Sequence, residues 1–148
     1  MPGAYNNRVQ IVQGPSHVVF VMEMIHEPRV VPVDGRPHVA PSIRPYVGSS
    51  RGHWDGRTLV VTTTNFLRET SFRGSSAAMR LEERFTRTGP DTLLYEFTVE
   101  DPATWTRPWT AVVPLQRVNE PIFEYACHEG NYALRNILAG VRAQERAR

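Results

Sequence analysis

The chain has 148 residues, of which 41% are hydrophobic and 22% are charged, and its formal net charge is +2. This length and composition are typical of one folded domain with its own core, and they exclude an intrinsically disordered chain. No apolar run reaches the roughly 20 residues that a membrane-spanning helix needs. We therefore expect a single soluble domain over residues 1–148, without a membrane span.

All 17 basic residues are arginine. A nucleic-acid surface requires basic residues clustered on one face with aromatic residues between them. The arginines here are scattered from Arg8 to Arg148, usually beside acidic residues, which fits a GC-rich coding bias. Nucleic acid is therefore not an expected partner. A single cysteine, Cys127, excludes an intrachain disulfide, and the first residues have neither the basic nor the apolar part of a signal peptide.

The first third of the chain combines two β-rich runs with a proline-rich segment. The runs are Arg8–Val12 and His17–Ile25, and a Gly-Pro turn joins them. From Pro28 to Pro45 a proline recurs every four or five residues. That spacing predicts an extended connection over the surface, since proline excludes a helix and a central strand.

Four strands are predicted in the middle of the chain, where β-branched residues and apolar alternation dominate. They are Thr58–Thr64, which follows a turn at residues 54–57, then Arg80–Thr86, Thr92–Glu100 and Trp109–Leu115. A period of two places one apolar set of the last two strands on a single face: Leu93, Tyr95, Phe97, Val99, Trp109, Ala111, Val113 and Leu115. The same period places Leu81, Glu83 and Phe85 of Arg80–Thr86 on one face, as a sheet with one buried face requires. Short connections make neighbouring strands antiparallel.

The last element, residues 131–147, has the periodicity of an amphipathic helix with Asn131 as its N-cap. Its apolar residues are Leu134, Ile137, Leu138 and Val141, and we expect them to dock against the sheet. The predicted fold is therefore mainly β: an antiparallel up-and-down meander with one C-terminal helix. The meander forms either a lipocalin-like barrel or a strongly curved open sheet. We favour the barrel, because closure removes exposed edges and often leaves a ligand cavity.

Several segments resemble a group of uncharacterised proteins from environmental bacteria. They are Tyr5-Asn6-Asn7, Glu23-Met24-Ile25-His26, Asp34-Gly35-Arg36-Pro37-His38, Trp54-Asp55-Gly56-Arg57-Thr58-Leu59-Val60-Val61, Phe97-Thr98-Val99-Glu100-Asp101-Pro102 and Tyr125-Ala126-Cys127-His128-Glu129-Gly130-Asn131. The likeness covers nearly the whole chain. In that group the segment resembles the C-terminal part of a longer exported protein. The resemblance implies a periplasmic or secreted origin and no particular reaction.

Three histidines at predicted element ends, His26, His38 and His128, are candidate ligands of a divalent metal ion. Their spacing matches no zincin motif, so the fold would have to assemble the site. Three histidines, or two and a glutamate, with one open position would make a catalytic metal centre. The alternative is that they are hydrogen-bonded structural histidines.

A metal-free interpretation uses His26 and His128 with Glu23 and Glu129 as acid–base catalysts. Pairs from different segments are favoured, because adjacent residues of an extended chain point apart. The same geometry makes Cys127, next to His128, a poor nucleophile.

Three aromatic residues, Trp54, Trp105 and Tyr125, are candidates for a ligand cavity, although aromatic residues in strands are more often core. Trp105 lies in a predicted loop, where a ligand, a partner subunit or lid packing would account for it.

Two functions remain open. One is a small-molecule-binding β-barrel, with lyase-, isomerase- or hydrolase-type chemistry at a His/Glu cluster. The other is a non-catalytic interaction module whose sheet surface and helix build a homo-oligomer or dock the rest of a longer exported protein.

Overall fold

The computed structural model describes residues 8–24, 28–70, 72–123 and 129–147. In chain order the elements are β1 (Val9–Gln13), β2 (His17–Met22), β3 (Arg29–Pro32), β4 (Ser49–Asp55), β5 (Thr58–Thr64), a short 3₁₀ helix (Arg68–Thr70), β6 (Arg80–Arg87), β7 (Thr92–Glu100), β8 (Trp109–Gln116) and α1 (Ala133–Arg146). The predicted class, mainly β with one C-terminal helix, is confirmed.

The strands form two antiparallel sheets. One has the order β1-β2-β3 and the other the order β4-β5-β6-β7-β8, so consecutive strands are neighbours within each sheet. Both sheets contribute to one core, whose buried members are Val18, Phe20, Val31, Leu59, Val61, Phe85 and Tyr95. A second cluster of Phe66, Met79, Leu81 and Val99 lies beside it.

The predicted inner face of β7 and β8 is confirmed by the strand register. Leu93 pairs with Leu115 and Val99 pairs with Trp109, so the eight predicted residues alternate in step on one face. On β6 the predicted inward set is also confirmed, since Leu81, Glu83 and Phe85 are all buried.

Two strands, β3 and β4, were not predicted. The segment that begins at Pro28 is not wholly a surface connection, because Val31 and Pro32 are buried and β3 pairs with β2. Proline is tolerated there since β3 is at the edge of its sheet. The two sheets approach closely at Gly52 of β4, where a Cβ atom would lie 3.0 Å from Val31 Cγ1.

The favoured barrel is not observed. Among the described strands, β1 pairs with β2 and β8 pairs with β7, and no ladder joins β1 to β8. One reason is Pro114 in β8, which lacks an N–H group for a further ladder. Instead the chain after β8 reaches β1 through side chains, in an ion pair between Arg8 and Glu120. The two sheets are therefore left open at this end.

Helix α1 begins at Ala133, two residues after the predicted N-cap. The Asn131 side chain still accepts a hydrogen bond from the Ala133 amide at 3.1 Å. No residue of α1 is buried. The predicted docking face is exposed, with 70% of Leu134, 62% of Ile137, 45% of Leu138 and 48% of Val141 accessible. The prediction that this face is covered by the sheet is wrong.

Candidate functional site

An ion pair lies inside the protein, between the two sheets. Arg29 on β3 donates from Nη1 to Glu83 Oε2 at 2.6 Å, and the Tyr95 hydroxyl donates to Glu83 Oε1 at 2.8 Å. The Arg29 guanidinium also lies 4.7 Å from the centre of the Phe20 ring. Both oxygens of the buried carboxylate are therefore occupied.

The surroundings of Tyr95 keep its hydroxyl protonated. Burial raises the pKa of Tyr95, and the negative charge and hydrogen bond of Glu83 raise it further. A neutral hydroxyl that donates to a paired carboxylate is a structural arrangement, since neither group has a free proton or lone pair directed at a ligand.

The open end of the two sheets forms a cleft of about 1120 Å³. Its floor is apolar and comes from both sheets: Val18, Phe20, Leu59, Phe85, Leu93 and Leu115. These residues belong to the core or pack against it, so the floor is rigid. The cleft is therefore a preformed concavity in which core residues face the entrance.

Arginines surround the floor of this cleft. Arg8, Arg57, Arg87 and Arg117 all line it, with Asp91 and Glu120 as the acidic members. Arg8 pairs with Glu120, and Arg117 lies 3.9 Å from Asp91. Among the described residues, the rim thus carries four positive and two negative charges around an apolar floor.

The predicted aromatic residues have different surroundings. Trp54 lines the cleft and is 47% exposed, and its role in ligand binding stays a prediction. Trp105 does not line the cleft; it packs edge-on against Trp109 at 5.8 Å and covers the second core cluster. Lid packing accounts for this loop tryptophan. Tyr125 lies outside the described residues.

The predicted histidine cluster is only partly described. His26 and His128 lie outside the described residues, as does Cys127. His38 is half-buried, and its Nδ1 is 3.2 Å from Ser49 Oγ and 3.4 Å from Thr64 Oγ1. Burial lowers the pKa of His38, and the positive charge of Arg51 lowers it further.

The two predicted carboxylates are not brought together with His38 by any recorded contact. Glu23 is half-buried, and its amide donates to the Arg8 carbonyl at 3.1 Å, while Glu129 is exposed. Within the described ranges, no group of three or more His, Cys, Asp or Glu side chains is placed to hold a metal ion. The metal and acid–base sites that include His26 and His128 stay predictions.

Sequence reasoning missed the arginine rim. Arg87 lies two residues after Phe85, and extending the alternation of Arg80–Thr86 by one step would have placed it on the same face. Arg57 lies in the turn before β5, where no alternation indicates its direction.

In the part of the chain that the structure describes, no helix has the length and apolar character required to cross a membrane. Compared with known proteins, the chain matches no protein-family model, no curated protein and no solved structure.

Proposed function

We propose that the protein is a small-molecule-binding domain and that the cleft between its sheets is the binding site. The observation that carries this proposal is the cleft at the point where the two sheets do not close, because its floor is apolar core. Val18, Phe20, Leu59 and Phe85 are at most 7% exposed there, and Leu93 and Leu115 are half-buried. The cleft volume of about 1120 Å³ is slightly above the usual range for small-molecule sites, about 300–1,000 Å³. Such a space accepts an elongated apolar ligand.

The balance of solvation supports this interpretation. Apolar surface gains roughly 25 cal/mol per Å² when it is removed from water, so an apolar ligand on this floor would be stabilised. The floor residues are already fixed by contacts within the core, and binding would therefore require little ordering of side chains. Trp54 at the entrance adds a large ring that can lie against a bound ligand.

The test is binding of the uncharged fluorescent probe N-phenyl-1-naphthylamine to two matched variants. Leu115→Trp fills the cleft from β8, whereas Val112→Trp adds the same ring to an exposed outward position of that strand. We expect the first variant to lose about tenfold or more in affinity through steric exclusion and the second to bind like the wild type. Equal binding by both variants, or no saturable binding by the wild type, would overturn the proposal.

A metal site at His26, His38 and His128, and acid–base chemistry by His26 and His128 with Glu23 and Glu129, remain separate predictions. Metal analysis of protein purified without a histidine tag tests the metal site, together with the variants His26→Ala and His128→Ala. We expect both variants to lose bound metal while keeping the unfolding midpoint of the metal-free wild type. Protein that binds no metal at stoichiometric concentration would contradict the metal site.

A second candidate function is self-association through α1, and the exposed apolar stripe of that helix favours it. Arg135, Arg142 and Arg146 are spaced by seven and four residues, so they follow one side of the stripe. An antiparallel pair would place this arginine row against its own copy. A parallel pair places it against the opposite flank, which contains Gly140 and Gln144. We therefore infer a parallel pair with a second copy of this chain.

Sedimentation of the variants Ile137→Ser and Arg135→Ser separates self-association from a solvated helix. The first removes a stripe residue and the second an arginine beside it. We expect a dimeric wild type, a monomeric Ile137→Ser variant and a dimeric Arg135→Ser variant. A wild type that is monomeric at all concentrations would overturn this second function.

A further inference from the structure

Two arginines, Arg57 and Arg87, stand at one end of the cleft: Arg57 lies in the turn that precedes β5, and Arg87 is the last residue of β6. Thr58 of β5 pairs with Thr86 of β6, and Leu59 pairs with Phe85 one step further in. Because side chains alternate along a strand, Arg87 follows Phe85 on the inner side of β6, and Arg57 contacts the Arg87 carbonyl from the turn that precedes β5. Both arginines line the cleft beside this apolar pair. The polar end and the apolar floor are thus continuous.

The recorded partners of these two arginines are backbone carbonyls, which carry no net charge. Arg57 donates to the Arg87 carbonyl at 3.4 Å, and Arg87 donates from Nε to the Gly89 carbonyl at 3.1 Å and from Nη2 to the Pro90 carbonyl. A guanidinium has five N–H donors, so several donors of each arginine remain. The carbonyls orient the two groups without neutralising them.

The carboxylates closest in sequence are engaged by other arginines. Asp55 accepts a hydrogen bond from Arg84 at 3.0 Å, and Asp91 lies 3.9 Å from Arg117. Elsewhere on the rim, Arg8, which precedes β1, pairs with Glu120. Among the ion pairs of the described residues, Arg57 and Arg87 have no carboxylate partner. The uncompensated positive charge of the rim is therefore concentrated at this end of the cleft.

We propose that Arg57 and Arg87 form the subsite for an anionic head group, and that the ligand is a long-chain carboxylate. This inference rests on the proposed binding function of the cleft and specifies the class of ligand. The carboxylate accepts hydrogen bonds from the two guanidinium groups, which match its planar geometry. The alkyl chain then runs along Leu59, Phe85 and Leu93 toward the rest of the floor.

The experiment compares dodecanoate with 1-dodecanol, both below their aggregation limits, as competitors of N-phenyl-1-naphthylamine. The two molecules share a chain length and differ in the charge of the head group. We expect the wild type to prefer dodecanoate by about tenfold or more, because a hydrogen bond between two charged groups is stronger than one to a neutral hydroxyl. In the variant Arg57→Gln/Arg87→Gln, dodecanoate and dodecanol should bind equally.

The matched control is Arg84→Gln, which removes an arginine of the same strand as Arg87 that pairs with Asp55 and does not line the cleft. This variant should keep most of the preference for dodecanoate. Added salt should weaken dodecanoate binding by the wild type and leave dodecanol binding unchanged, which tests the charge without any substitution. If the wild type binds both probes equally, the head-group subsite is refuted while the cleft stands. If neither probe nor the naphthylamine binds, the proposed function itself fails.

Discussion

Arginine lies in two regions between the sheets, a buried ion pair and an open cleft, and the environments of the two regions are opposite. Arg29 forms a buried ion pair with Glu83, and the other carboxylate oxygen of Glu83 accepts a hydrogen bond from the Tyr95 hydroxyl. Arg57 and Arg87 line an open cleft and are held by neutral carbonyls. The same residue type is therefore structural where a carboxylate compensates it and available to a ligand where none does.

The two regions also differ in how much hydration their arginines lose. Burial of an ion pair is tolerated only when both partners are present and hydrogen-bonded, since the loss of hydration is large. An exposed arginine held by carbonyls keeps most of its hydration and can exchange water for a ligand carboxylate at lower cost. Substitutions in the two regions should accordingly affect different measurements: stability for the buried group and ligand preference for the cleft.

The largest effect is expected from Glu83→Leu. This change leaves the Arg29 charge without its counterion and the Tyr95 hydroxyl without an acceptor, and we expect a loss of about 3–5 kcal/mol in the free energy of unfolding. Urea denaturation measures it. The matched control is Asp55→Asn, which weakens the exposed pair with Arg84 and should cost less than about 1 kcal/mol.

A double variant sharpens this prediction. Adding Arg29→Met to Glu83→Leu removes the uncompensated charge, so stability should partly return. If Glu83→Leu lowers the free energy of unfolding by less than Asp55→Asn does, the buried contacts among Arg29, Glu83 and Tyr95 do not stabilise the fold. The contrast between the buried pair and the cleft would then be refuted.

A smaller effect is expected at Asp101, a buried carboxylate outside both regions. It accepts hydrogen bonds from the amide and hydroxyl of Ser76, from the Ala103 amide and from the Thr104 hydroxyl. Burial opposes its ionisation, but the hydrogen bonds from Ser76 and Thr104 outweigh burial and lower the pKa of Asp101. Asp101→Asn should cost about 1–3 kcal/mol, because an amide cannot accept every one of these bonds.

The pH dependence of that effect has a definite sign. A carboxyl group whose pKa is lowered by folding stabilises the protein above its unfolded pKa of about 3.8, and this contribution disappears as the pH falls through the folded value. Asp101→Asn should therefore destabilise most near neutral pH and progressively less in acid. A difference between the two proteins that is constant from neutral pH into strong acid would contradict the ionised state of Asp101.

The sequence predicted strands where alternation or β-branched residues were concentrated. Thr92–Glu100 has the predicted bounds because apolar residues two apart indicate its inner face, and Thr58–Thr64 has them because its β-branched residues form one continuous run. β4 was missed since its inward residues include Ser50 and Gly52. The Ser50 hydroxyl is satisfied by Thr63 at 2.9 Å, a cross-strand partner that no local pattern reveals.

The candidate site was harder to predict than the strands. Periodicity placed Glu83 on the buried face, but its partner Arg29 is 54 residues away on a strand that the prolines concealed. Helix α1 also shows that a local pattern does not reveal long-range contacts. Its apolar period predicted the stripe of α1, but a period of 3.6 does not indicate whether that stripe is covered. Trp54 was selected for its residue type, and its place in the cleft depends on the open end of the sheets.

The smallest effect is expected at His38, which is half-buried beside the Ser49 and Thr64 hydroxyls and does not line the cleft. Burial and the positive charge of Arg51 lower the pKa of His38 below its ordinary 6.5. As the pH falls through about 6.5, the unfolded chain therefore takes up this proton before the folded protein does, and stability decreases. His38→Asn should reduce this decrease slightly, as measured by urea unfolding at neutral and mildly acidic pH. His53→Asn, at an exposed position of β4, is the matched control. A His38→Asn variant with an unchanged pH profile would contradict the lowered pKa, and a variant that loses the preference for dodecanoate would show that the cleft does not act independently of His38.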